Sequence, residues 1–62
     1  MPRNIDDPYH PGFRHAVWTR HDWRELDAWL RQARMRGRWW IEPTEVIFED
    51  LEDAVMFELA WG

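Results

Sequence analysis

Leu26, Trp29, Leu30 and Ala33 recur at i, i+3, i+4 and i+7, the spacing that lines one face of an α-helix. Trp23 extends the stripe backwards, Asp22 is placed to cap the amino end, and Glu25 follows three residues later as in a capping box. Asp27 and Arg31 form an i,i+4 pair in the favourable order, and Arg34 and Arg36 complement the carboxyl end of the helix dipole before Gly37 stops the helix. Upstream, Phe13 to Arg20 alternates as a strand does. Phe13, His15, Val17 and Thr19 fall on one side and Arg14, Ala16, Trp18 and Arg20 on the other. Downstream, the β-branched and aromatic residues of 38–49 predict two short strands with a turn at Pro43, or one strand interrupted there. Glu45, Ile47 and Glu49 then face away from Val46 and Phe48. Asp50 resembles a second helix cap, with Leu51, Ala54, Val55 and Glu58 or Leu59 at helical spacing. Residues 57–61 also alternate with period two, so a closing strand is the alternative to helix there.

Pro2, Pro8 and Pro11 with Gly12 argue against helix or central strand in residues 1–12, which read as an extended arm. Residues 13–62 read as a single α/β (α+β) domain. The order β-α-β-(β)-α fits a small two-layer sandwich with two helices on one face of a short sheet. Its expected core is Leu26, Trp29, Leu30, Val46, Phe48, Ala54 and Val55.

A chain of 62 residues buries only about 60% of its unfolded surface, near the limit for folding without staples. There is no Cys, so disulfides and thiolate metal sites are excluded. The 6 Trp, 3 Phe and 1 Tyr supply large buried areas instead and exceed what so small a core requires. The longest apolar run, Ala54 to Phe57, is far short of a bilayer span, and no apolar signal-peptide core opens the chain. A soluble protein of the host cytoplasm, without membrane contact, is the expectation.

Charge is segregated. All 8 basic residues are Arg within 1–38, which with Asp6, Asp7, Asp22, Glu25 and Asp27 gives 8 − 5 = +3. Residues 39–62 hold no base and seven acids, Glu42, Glu45, Glu49, Asp50, Glu52, Asp53 and Glu58, so that part is −7 and the whole −4. Such asymmetry points to a surface that meets a charged partner.

Catalysis lacks its usual groups: there is no Ser or Cys, and Thr19, Thr44 and Tyr9 are the only hydroxyls. No enzyme activity and no cofactor are expected. His10, His15 and His21 with Asp22 match no ligand-pair or finger spacing, so no metal is expected either. Arg31, Arg34, Arg36 and Arg38, interleaved with Trp29, Trp39 and Trp40, carry the chemistry for nucleic-acid contact, although helix-end complementation explains them more simply and the net charge opposes it. The acidic part could imitate duplex phosphates. Glu45, Glu49, Asp50, Glu52 and Asp53, with Trp39 and Trp40 as aromatic anchors, are the expected partner-binding residues.

The ending Phe48-Glu49-Asp50-Leu51-Glu52-Asp53-Ala54-Val55-Met56-Phe57-Glu58-Leu59-Ala60-Trp61-Gly62 resembles that of a group of small, mostly uncharacterised tailed-bacteriophage proteins, in which Phe, an acidic pair, Asp-Ala, Phe, Leu and Trp-Gly recur. Trp23 to Arg36 and Trp39-Trp40 resemble the Trp-containing helix and aromatic strand that precede that ending in the group, so the likeness spans roughly residues 18–62. Where the group usually carries Lys or Arg between Phe and Leu, this chain has Glu58. The resemblance implies a phage setting and brings no activity with it. The resulting expectation is a non-enzymatic protein that binds and inhibits a host or defence complex with a basic surface, in the manner of an anti-CRISPR or host-takeover inhibitor. A small virion or assembly component and an Arg/Trp nucleic-acid-binding accessory are the alternatives. Replacing Trp29 by Ala is expected to cost about 3–5 kcal/mol, read as a lowered thermal midpoint; a shift of a degree or two would make Trp29 a surface residue.

Overall fold

The computed structural model describes residues 1–61. The chain runs β1 (Arg3–Asn4), β2 (His15–Trp18), α1 (Trp23–Gln32), β3 (Trp39–Ile41), β4 (Glu45–Phe48) and α2 (Leu51–Trp61). The strands form one antiparallel sheet in the order β1-β2-β4-β3. Both helices pack on one face, where Val17, Val46 and Phe48 meet Leu26 and Leu30 of α1 and Ala54 and Phe57 of α2. This is the expected two-layer α+β arrangement. No described helix is long and apolar enough to cross a membrane.

The hairpin of β3 and β4 turns at Pro43, with Glu42 N–H donating to the Glu45 carbonyl at 2.8 Å. Register pairs Trp39 with Phe48, Trp40 with Ile47 and Ile41 with Val46. Val17 faces Val46 across the other side of β4. As a central strand β4 is buried on both faces, which is why Ile47 has no exposed surface. Its cover comes from the amino-terminal segment: Phe13, Ala16 and Ile47 form a second apolar cluster joined by Ile5.

That segment is docked on the sheet. Arg3 pairs with Ala16 and Asn4 with His15, and Ile5 N–H donates to the Arg14 carbonyl at 3.0 Å. Pro8 and Pro11 sit in the turns that follow, where their missing donors cost no sheet bond. Phe13 precedes β2, so it escapes the alternation expected for 13–20 and packs with Ala16 rather than with Val17.

Helix α1 begins as its sequence indicates, with Asp22 accepting from Arg24 N–H at 2.8 Å. It ends at Gln32 and not at Gly37. Arg34 takes the left-handed conformation, φ 55°, that usually falls to glycine after a helix. The next amides show the cause. Asp53, with no accessible surface, accepts Arg36 N–H at 3.0 Å and Gly37 N–H at 2.8 Å, so those amides turn toward α2 instead of extending α1. Asp50 caps α2 by accepting Asp53 N–H at 3.1 Å.

Helix α2 continues through Trp61, so the closing strand does not form. Its buried residues are Asp53, Ala54 and Phe57; Phe57 occupies the central place given above to Val55, which is only half-buried. Trp29 is likewise half-buried, its ring edge-on to Phe57 at 5.9 Å and to Trp61 at 6.2 Å. Replacing Asp53 by Ala strands two donors in a dry site and should destabilise the fold by about 3 kcal/mol in urea unfolding. A loss below about 1 kcal/mol would show that water satisfies both amides.

Candidate interaction surface

Each of the seven acids after Arg38 meets a group from the first 38 residues. Glu45 bonds Arg3, Glu49 accepts the Arg38 guanidinium at 2.8 Å, and Arg36 reaches Glu52 at 2.7 Å and Asp50 at 3.6 Å. Glu58 holds the amino-terminal ammonium at 2.7 Å. Glu42 lies 3.8 Å from His10 Nδ1, and Asp53 binds the two backbone amides already described. The charge segregation of the sequence is therefore folded into intramolecular pairs. Asp53 is interior and offers nothing to a partner. Glu45 opens β4 and Glu49 follows its end, while Asp50 and Glu52 stand at the α2 entrance, and each already faces an arginine.

Glu49 shows how close this pairing is. Besides the guanidinium it accepts Arg38 N–H at 2.8 Å, and the Arg38 side-chain bond, more than the backbone bond, holds its carboxyl below the usual value. The same pairing raises Arg38.

The basic residues are dispersed. Arg31 bonds Asp27 at 2.9 Å and lies over the Trp39 ring at 5.9 Å. Arg38 covers Phe13 at 5.4 Å. Arg34 is exposed at the end of α1. Trp39 faces the helices and packs against their core, half-buried, while Trp40 stands on the other sheet face with 53% of its surface exposed. Arg31, Arg34, Arg36, Arg38, Trp39 and Trp40 thus form no single stacking platform.

The largest uncovered apolar groups lie elsewhere. Helix α2 buries Ala54 and Phe57 on the sheet and turns Leu51, Met56 and Leu59 outward, Leu59 with 84% exposed. Leu59 lines a groove with Met1, Val17 and Trp18 at the β2 margin, where Trp18 is 64% exposed. Sequence reasoning missed this stripe, though its signal was present: the second helix carries apolar residues on every side, and a helix of that kind is ordinarily covered all round. Trp23 is also exposed, with Arg24 against its ring at 5.7 Å. The grooves found among the described residues are open to solvent.

His10, His15 and His21 do not converge. His21 stacks edge-on to Trp61 at 4.8 Å, His15 lies in β2 with a buried Nδ1, and His10 sits in the turn before β2 beside Asp7 and Glu42. Asp22 is occupied as a helix cap.

Comparison with protein families, with curated proteins and with solved structures finds no match.

The Glu49 pairing predicts a pH dependence. Its folded pKa lies below the ordinary 4.5, so the stability it lends is complete above that value and is lost as pH falls through the lowered folded value. As pH falls below 4.5 the urea midpoint of Glu49→Gln should fall less steeply than that of the unaltered chain; parallel curves would mean that the pairing leaves no trace in stability.

Proposed function

We propose that this chain is a non-enzymatic interaction protein of phage type that binds and inhibits a host or defence protein in the host cytoplasm. The observation that carries the reading is the outward face of α2, where Leu51, Met56 and Leu59 meet solvent, Leu59 beside Trp18. A helix apolar on both sides, in a chain this short, exposes surface that folding alone would not select, and such patches mark contact sites. The lack of Ser and Cys and the solvent-open grooves support binding over catalysis. The resemblance of residues 48–62 to endings of small phage proteins supports the setting.

Charge has a different role here from the one expected of a naked acidic surface. With Glu45, Glu49 and Glu52 already paired, the net charge of −4 steers approach to a basic partner. Residence then depends on the apolar stripe. The nucleic-acid reading loses support, because Arg31, Arg36 and Arg38 are engaged by acids of the same chain.

Immobilised protein exposed to bacterial host lysate tests this, with any captured partner then titrated against variants. Leu59→Asp should weaken binding by more than tenfold, about 1.4 kcal/mol, without lowering the thermal midpoint. Joint replacement of Glu45, Glu49 and Glu52 by Gln should mainly slow association and flatten its salt dependence. A folded Leu59→Asp variant with unchanged affinity would remove the α2 face from the function.

A further inference from the structure

Asp7, His10 and Glu42 are brought together by topology, from a turn and from the far end of β3. Their donor atoms all lie within 4.8 Å of one another. His10 Nδ1 is 2.9 Å from Asp7 Oδ2 and 3.8 Å from Glu42 Oε1. Metal–ligand bonds of about 2.0–2.2 Å place neighbouring ligand atoms roughly 3.0–3.5 Å apart, so these separations need only small side-chain movements to close around an ion. We propose that Asp7, His10 and Glu42 form a binding site for a first-row divalent cation of the zinc class.

The surroundings fit that use. Asp7 Oδ1 is fixed by the Tyr9 N–H at 2.8 Å, leaving Oδ2 for the site; outer hydrogen bonds of this kind orient metal ligands. The turn is closed by His10 N–H to the Asp7 carbonyl at 3.2 Å and Phe13 N–H to the His10 carbonyl at 3.2 Å. This sets Asp7 and His10 side by side. Glu42 is placed by its own N–H bond to Glu45 at 2.8 Å. The His10 ring is held edge-on by Phe13 at 5.9 Å and tilted against Trp40 at 5.7 Å. All three ligands are half-buried, which shields an ion while leaving room for the waters that complete its coordination.

One imidazole with two carboxylates is a borderline-hard donor set, suited to zinc, cobalt or manganese, whereas calcium and magnesium prefer all-oxygen shells. Without metal, two carboxylates face one imidazole, and a divalent cation neutralises the pair. The ion would fasten the 5–13 segment to the β3–β4 hairpin, a link otherwise made on that side by Phe13, Ile5 and Ile47.

The test is calorimetric titration of the chelator-stripped full chain with Zn2+, repeated with Co2+ followed by its absorption bands and with Mg2+ as a contrast. The expected result is one Zn2+ per chain, a raised thermal midpoint and no comparable Mg2+ binding. His10→Ala and Glu42→Gln should each weaken Zn2+ by more than about tenfold, and His21→Ala should not. Circular dichroism with chelator present checks that each variant is folded, and Glu42→Gln carries the test if His10→Ala is not. Absence of Zn2+ binding at millimolar concentration overturns the proposal, as does binding that survives in both His10→Ala and Glu42→Gln.

Discussion

A carboxylate with no exposed surface organises this domain. Among the described residues no cation pairs with Asp53; it is held by the Arg36 and Gly37 amides and sits in the first turn of α2. Burying an unpaired charge costs several kcal/mol, and three features offset that cost: two amide donors, the partial positive charge of a helix start, and the Asp50 cap that fixes the turn. In return, three boundaries are set at one atom pair. α1 must stop, β3 must start in register with β4, and α2 must begin where Asp53 can reach back.

The same corner explains the distribution of charge. Exposed ion pairs are worth about 0–1 kcal/mol each, so the bonds of Arg3, Arg36 and Arg38 to Glu45, Asp50, Glu52 and Glu49 add little to stability individually. Their effect is selective. Positive and negative stretches far apart in sequence match only when the amino-terminal segment lies along the sheet and the α1–β3 connection lies against α2.

Caps and periodicity made the start of α1, the turn at Pro43 and the start of α2 legible, because each rests on neighbours within a few residues. What escaped was non-local. Ile47 read as an outward residue because its partners, Phe13 and Ile5, arrive from a segment whose prolines disguise a two-residue strand. The early end of α1 was hidden because Arg34, not Gly37, adopts positive φ, and only Asp53 dictates it. At the site level, charge counts did not reveal that the arginines facing Glu49 and Asp50 come from the same chain. The meeting of His10 with Glu42 depends on sheet topology, which spacing along the chain does not encode.

Sheet order has one more consequence. The outer strands are β1, two residues long and begun directly after Pro2, and β3, three residues long and ended two residues before Pro43. Neither margin offers a run of free backbone donors and acceptors long enough to template an added strand. Addition of a further strand is therefore disfavoured at both margins, which keeps a protein rich in tryptophan from growing its own sheet into a fibre.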